Sequence, residues 1–196
     1  MAKITTGKVR LSYPWLAEPR PSSDGGQPKY SATLLIDKNE IALGKDGKTT
    51  MQRIKEALKD AEAEYREKNG VNSLPPKPSH TIHDGDELKD TGEEYGPECK
   101  GCYVITVTTK NPPLFLDKYK CEVDPADIEK EFYAGCYVRA SINFKGYSFN
   151  GKKGITADLN GIMKVADGDR LGSQGASASD FDDGFPVDDD DDDFFT

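Results

Sequence analysis

Five segments of the chain have the residue pattern of β-strands, because apolar and polar residues alternate in them or β-branched residues predominate. They are residues 8–16, 29–37, 101–109, 134–149 and 154–165. In the first segment the alternation places one apolar row on a common face, namely Val9, Leu11 and Tyr13. The pattern predicts a mainly β protein whose strands bury one face and expose the other.

The clearest alternation lies in residues 136–145 and separates an apolar row from a polar row. The apolar row consists of Cys136, Val138, Ala140, Ile142 and Phe144. The polar row consists of Tyr137, Arg139, Ser141, Asn143 and Lys145. We expect the first row to face the core and the second to face solvent.

Two segments have the pattern of helices. Residues 50–68 carry apolar side chains three or four positions apart, and Asn69-Gly70 suits the helix end. Residues 125–132 predict a short helix, because Asp124 can cap its N-terminus and Pro125 fits its first position. Residues 71–98 predict mostly irregular structure.

The predicted elements favour a five-stranded β-barrel of the oligonucleotide-binding (OB-fold) type with the helix at about 50–68 inserted between strands. The pattern alone does not exclude another small barrel. Residues 1–172 would form this domain, and residues 173–196 would form a Gly/Ser linker followed by a disordered acidic tail.

The net charge lies entirely at one end of the chain. The sequence has 26 basic and 35 acidic residues, which gives a formal net charge of -9. Nine of the acids follow Arg170, where there is no Lys or Arg, so the remaining body has 26 residues of each sign. The nine are Asp180, Asp182, Asp183 and the run Asp188, Asp189, Asp190, Asp191, Asp192 and Asp193, which leads into Phe194 and Phe195. This asymmetry predicts an interaction tail.

No N-terminal apolar segment and no run long enough to span a membrane is evident, so we expect a soluble intracellular protein without membrane contact. The sequence shows no phosphate-binding glycine motif and no nucleophile pattern, and we expect neither an enzyme nor a cofactor.

The four cysteines raise the question of a structural zinc site. Cys99 and Cys102 form a C-x-x-C motif, and Cys121, Cys136 or the pair His80 and His83 could complete four ligands. Free thiols are favoured, since Cys136 belongs to an apolar row and there is no second C-x-x-C. We therefore predict no metal.

Aromatic and cationic residues share the predicted exposed strand faces, which is the combination that binds bases and phosphates of single-stranded nucleic acid. The candidate binding residues are Arg10, Tyr13, Trp15, Tyr137, Arg139, Lys145, Tyr147, Lys152 and Lys153, with Lys8 beside the first of them. The alternative interpretation is a solvated strand face with ordinary core aromatics.

Several stretches resemble the single-stranded DNA-binding proteins of tailed bacteriophages, in order from about residue 8 to 172. They include "VRLSYPWL", "PKYSATLLI", "HDGDE", "EFYAGCYVRASINF" and "GKKGITADLNGIMKVADGDRLG". The resemblance implies an OB-fold that coats single-stranded DNA without sequence specificity during replication and recombination, in the cytoplasm of the infected bacterial host. It also implies an acidic tail that contacts phage or host replication and recombination proteins, and it is compatible with a homodimer.

One feature departs from the resemblance, because Thr196 follows Phe195 where related tails commonly end on phenylalanine. A second functional hypothesis is a DNA-mimicking or chaperone-like protein whose acidic tail captures a basic partner.

Overall fold

The computed structural model describes residues 2–21, 26–41, 45–89, 91–149 and 151–172. The strands are β1 Ala2–Thr5, β2 Val9–Arg20, β3 Lys29–Asp37, β4 Ser79–His80, β5 Ile82–Asp84, β6 Cys102–Thr109, β7 Leu114–Leu116, β8 Tyr137–Phe149 and β9 Lys152–Ala166. The helices are α1 Thr50–Asn69 and α2 Ile128–Glu131. The predicted tail, residues 173–196, lies outside the described residues.

Five strands close into a ring. The order is β8-β2-β3-β6-β9, and β9 returns to β8 in a long antiparallel ladder. All contacts in the ring are antiparallel except the one between β6 and β9, where Thr108 pairs with Asp158 in parallel. These five strands are the five that the alternation predicts, so the mainly β prediction is confirmed.

The core lies inside the ring. The predicted apolar row of β8 is confirmed, with Cys136, Val138, Ala140 and Ile142 fully buried and Phe144 3% exposed. It packs against buried residues from the other four strands, including Leu11, Leu34, Ile105 and Leu159. On the outside of the ring, Leu35 and Val104 pair across β3 and β6 and form a smaller cluster with Cys99.

Helix α1 forms where the periodicity predicts it. Its start is fixed by a capping box, in which the Thr49 hydroxyl accepts from Gln52 N and the Gln52 side chain accepts from Thr49 N. It ends before Gly70, whose φ of 95° suits a residue without Cβ. Ile54, Ala57 and Ala61 bury the inner face of the helix against the core.

The second helix is shorter than predicted. Asp124 caps a 3-10 turn, Pro125–Asp127, by accepting a hydrogen bond from Ala126 N, and this turn leads into the single turn of α2. The predicted irregular region 71–98 is mostly irregular but contains β4 and β5. These strands and β1 and β7 have two to four residues each. Segments this short show no period in the sequence, because their strand geometry comes from pairing with a neighbour.

Tyr13 does not share the face of Val9 and Leu11 on which the alternation of the first segment places it. A register shift separates Ser12 from Trp15 in the pairing of β2 with β3. Tyr13 has φ 43° there and is 66% exposed, whereas Ser12 is buried. The extra residue of this bulge reverses the faces, so Tyr13 points to solvent while Val9 and Leu11 stay in the core.

Among the residues that the structure describes, no helix is long and apolar enough to cross a membrane.

Candidate nucleic-acid interface

Tyr137 lies at the centre of a cationic cluster where β8 begins. Lys8 Nζ is 4.1 Å from the centre of its ring, and the Arg10 guanidinium carbon is 6.0 Å from it. Arg10 is held in place from its other side, since it donates to the backbone oxygens of Gly135 at 3.3 Å and Asp169 at 2.8 Å. Two cations over one half-buried ring provide a flat face and positive charge at a single position.

A second aromatic group lies further along β2. Trp15 is 45% exposed, and the Arg20 guanidinium carbon is 5.4 Å from its ring centre. Across a cavity of about 530 Å³ between this part of β2 and α2 lies Tyr133. Arg170 stands 4.4 Å from the centre of the Tyr133 ring. Of the three aromatic residues that line the cavity, Trp15 and Tyr133 each have an arginine against the ring.

Tyr133 is fixed by its hydroxyl group. Its oxygen lies 3.0 Å from Asp167 Oδ1 and accepts a hydrogen bond from Gly168 N at 3.1 Å. Hydrogen bonds from Lys164 and from Tyr133 hold the pKa of Asp167 below its usual value. The carboxylate stays charged at neutral pH, so this anchor of the ring persists.

The hairpin that joins β8 to β9 carries the third group of predicted residues. Tyr147 pairs with Gly154, Ser148 with Lys153, and Phe149 with Lys152. Both lysines are exposed, and Phe149 is 67% exposed. Tyr137 and Tyr147 are ten residues apart on one strand, which corresponds to at most about 33 Å. The predicted residues therefore divide between the two ends of β8.

Lys145 has a partner within the chain. Its Nζ lies 2.7 Å from Asp158 Oδ2 on β9. A phosphate at this position would have to compete with a carboxylate. Lys145 should therefore contribute less binding energy for nucleic acid than Lys152 or Lys153.

Arg139 occupies a separate place on the outer face of β8. Its Nε donates to Thr6 O at 3.0 Å, and its side chain lines an apolar cavity together with Leu114 and Met163. Among the described residues it forms no ion pair.

The outer row of β8 is not exposed throughout, which corrects the sequence prediction. Asn143 is only 5% exposed, because β1 and β9 flank it through Lys3 and Asp158. Ser141 is half-buried. The row therefore presents exposed side chains only at Arg139 and Lys145.

The cysteines do not form a metal site in the part of the chain that the structure describes, where no three His, Cys, Asp or Glu side chains are grouped to hold an ion. Burial raises the pKa of the Cys99 and Cys136 thiols to about 11. Both are therefore protonated at neutral pH.

Sequence patterns missed Arg20, Tyr133 and Arg170. Arg20 is the last residue of β2, beyond the stretch whose alternation marks that strand. The contact between Tyr133 and Arg170 joins residues 37 positions apart in sequence, so no local period reveals it. The predicted tail residues Asp188 to Phe195 fall outside the described residues.

Comparison with known proteins places the chain in a family. The sequence model of the family described as Enterobacter phage Enc34, ssDNA-binding protein matches residues 2–195. Protein p50 of Acyrthosiphon pisum secondary endosymbiont phage 1 is 34% identical over 186 residues, which are 92% of this chain and 93% of that protein.

Solved structures agree with this result. The single-stranded DNA-binding protein of bacteriophage Enc34 in complex with ssDNA superposes with a TM-score of 0.70 at 31% identity, over 87% of this chain and 90% of that one. The single-stranded DNA-binding protein gp2.5 of bacteriophage T7 gives a TM-score of 0.55 at 14% identity, over 89% of this chain and 97% of that one. The second likeness concerns the fold alone.

The family and the similar solved structures are ssDNA-binding proteins, which confirms the prediction that the chain is not an enzyme. With a match over residues 2–195 and a relative more than 30% identical over nearly the whole length, the chain belongs to the family of the ssDNA-binding protein of Enterobacter phage Enc34.

Proposed function

We propose that this protein coats single-stranded DNA without reading its sequence during phage replication and recombination. The observation that carries the proposal is the pairing of cations with accessible aromatic rings, Lys8 and Arg10 at Tyr137 and Arg20 at Trp15. Rings can stack on any base, and cations can neutralise any phosphate, so neither contact requires a particular sequence.

Two further observations support this function. The chain belongs to the Enc34 family, and a structure of a relative contains ssDNA. The closed ring of five strands with α1 between β3 and β6 is the architecture that we assign to an OB-fold. Such a protein acts in the cytoplasm of the infected bacterium, and a homodimer is compatible with this role.

We divide the binding surface into two parts. The first comprises Arg10, Tyr13, Trp15 and Tyr137 with Lys8, and we add Arg20 because its guanidinium lies against the Trp15 ring. The second comprises Tyr147, Lys152 and Lys153 at the hairpin, with Lys145 and Arg139 between the two parts. A strand that follows β8 would contact both.

The acidic tail is assigned two roles. An extended chain places its side chains about 3.3–3.6 Å apart, close to the spacing of about 3.4 Å between phosphates along one strand of duplex DNA. The run Asp188 to Asp193 can therefore compete with DNA for the cations. Phe194 and Phe195 would be the part of the tail that a replication or recombination protein recognises.

The binding function is tested by the anisotropy of labelled oligo(dT) and of a mixed-sequence oligonucleotide of equal length. Similar affinities, and a logarithm of the binding constant that falls linearly with the logarithm of salt concentration, are expected from phosphate neutralisation. A preference for one sequence, or affinity independent of salt, would contradict the proposal.

The recruiting role has a separate test. Changing Phe194 and Phe195 to Ala should abolish capture of a replication partner without weakening the binding of oligo(dT). Capture that persists in this variant would show that the rings are not what the partner recognises.

A further inference from the structure

An apolar cavity opens on the outer face of the sheet, on strands β1, β8, β9 and β7. The strand register aligns Thr5, Ser141, Gly161 and Leu114 in one row across these four strands. The adjacent row contains Arg139, Met163 and Leu116. The cavity has a volume of about 240 Å³, and Leu114 at its wall is 49% exposed.

Gly161 makes room for this cavity. A Cβ added at this position would lie 3.1 Å from Leu114 O and 3.2 Å from Leu114 Cβ, closer than most real contacts. With no side chain at this position, the floor of the cavity is open. Leu114 and Leu116 of β7 and Met163 of β9 form its apolar walls.

The charged residues that line the cavity are both cations. Arg139 uses its Nε on Thr6 O, and Lys120 occupies the turn after β7 with a φ of 69°. Within the described ranges neither residue forms an ion pair. An apolar cavity beside two unpaired cations is complementary to a ligand that combines an apolar group with adjacent negative charge.

The C-terminal segment of this chain has that chemistry. Six consecutive aspartates precede Phe194 and Phe195, and no cation follows Arg170. We propose that an aromatic ring of this pair docks in the cavity between Leu114 and Met163, with the neighbouring aspartates against Lys120 and Arg139.

The tail is long enough to reach the cavity. Phe194 lies 22 residues beyond Gly172, and a Gly/Ser-rich chain of that length has an end-to-end distance of about 23–28 Å. Before the tail begins, the chain passes β8 and then packs Leu171 against Leu35 and Val104 on the outer face of β3 and β6. A Cβ at Gly168 would lie 3.0 Å from the ring of Tyr137, which precedes Arg139 by two positions on β8.

Docking at this place would have two consequences. The tip would be withheld from partner proteins while it is docked, and the aspartate run would extend toward Lys8 and Arg10 at Tyr137. The docking itself does not require that the protein bind DNA, and its test uses no DNA.

The test is carbodiimide cross-linking of the full-length chain, which joins a carboxylate to an amine in contact with it. Trypsin releases the tail as one peptide, residues 171–196, because no Lys or Arg follows Arg170. Mass spectrometry should find this peptide joined to Lys120 in preference to Lys55, an exposed lysine of α1 without an ion pair among the described residues.

The variant Phe194→Ala with Phe195→Ala should reduce the Lys120 cross-link about tenfold or more, since burying an aromatic side chain accounts for that factor. Leu114→Asp should have the same effect by placing a charge in the cavity wall. The phenylalanine variant leaves the described body unchanged, so it remains informative if Leu114→Asp lowers stability.

Three results would overturn the proposal. The first is equal yield at Lys120 and Lys55, and the second is a Lys120 cross-link that survives loss of both rings. The third comes from a mixture of isotopically labelled and unlabelled protein, where cross-links mainly between different chains would contradict docking within one chain.

Discussion

Aromatic residues with a cation beside the ring occur in two different settings on this protein. Tyr137 has Lys8 and Arg10 against its ring, with Arg10 tied to backbone oxygens. Tyr119 also has a lysine against its ring, Lys118 at 5.1 Å, and is 74% exposed. Its surroundings are acidic, however, with Asp117, Glu122, Asp124, Asp127 and Glu131 around the same groove. The local contact is alike in both places, and the neighbouring charge decides which ring can bind a polyanion.

This difference gives the first prediction. Tyr137→Ala or Trp15→Ala should weaken binding of oligo(dT) by about 5- to 150-fold, which corresponds to the roughly 1–3 kcal/mol of one base–aromatic stack. Anisotropy of a labelled oligonucleotide measures the effect without relying on tryptophan emission.

Tyr119→Ala is the matched control and should bind as the unaltered protein does. Equal losses for Tyr119→Ala and Tyr137→Ala would show that the binding surface has been assigned wrongly. Retained secondary structure, checked by circular dichroism, separates lost binding from lost folding.

Helix α1 is attached to the sheet by packing on one side and by ion pairs at its start. Arg53 donates to Asp46 at 2.6 Å and to Thr5 O on β1 at 3.1 Å, so it joins the helix, the loop before it and an edge strand. Near the other end of α1, the ring of Tyr65 lies directly over Gly146 of β8. The first contact ties the start of the helix to β1, and the second holds its other end beside the β8–β9 hairpin.

Acid should weaken the first of these attachments. The hydrogen bond from Arg53 lowers the pKa of Asp46 to about 2, from 3.8 in the unfolded chain. A carboxylate whose pKa is lowered by folding stabilises the protein above its unfolded pKa, and the contribution is lost as pH falls toward 2.

Asp46→Asn should therefore be less stable than the unaltered protein at pH 6, and the difference should disappear near pH 2. Urea unfolding at several pH values measures this. Asp60 is an exposed residue of α1 without an ion pair among the described residues. The variant Asp60→Asn should show no such convergence. A constant deficit of Asp46→Asn at all pH values would contradict the assignment.

Gly146→Ala tests the second attachment. The added Cβ would lie 2.4 Å from two ring carbons of Tyr65, so the helix or the hairpin must move. Overpacking of this kind costs about 1–3 kcal/mol of unfolding free energy.

Tyr65→Ala in the same chain should remove most of the penalty of Gly146→Ala, and urea unfolding of the four variants gives the coupling between the two sites. A penalty that is the same with and without the Tyr65 ring would show that the clash is not its cause.

The sequence predicts the elements whose own side chains specify them. The five ring strands and α1 follow from alternation and helical spacing, because burial of one face imposes those periods. The bulge between Ser12 and Trp15, which turns Tyr13 away from the face of Val9 and Leu11, could not be predicted, since it depends on pairing with β3. The Tyr133–Arg170 contact was missed for the same reason, because it forms only when the end of β9 returns beside α2.

At the scale of the whole molecule, charge is divided between a formally neutral body and a strongly acidic end. The body presents cations beside the half-buried ring of Tyr137 and the exposed ring of Trp15, and it presents acids around Tyr119. The tail carries the excess negative charge that produces the net value of -9. A polyanion and the tail would therefore compete for the same cations.

Deleting residues 173–196 should tighten binding of oligo(dT) at low salt, because the competing anion is removed. The gain should shrink as salt rises, since screening weakens the competition. Anisotropy titrations of the full and shortened chains at two salt concentrations measure both effects. Equal affinities at low salt would count against competition by the tail while leaving DNA binding itself intact.

The most direct test of the central claim uses the single tryptophan of the chain. Trp15 emission is followed while oligo(dT) is added at low salt, and salt is then raised. The account predicts quenching that saturates at a fixed number of nucleotides per chain and reverses as salt displaces the DNA. Unchanged Trp15 emission together with no shift of the oligonucleotide on a native gel would contradict it.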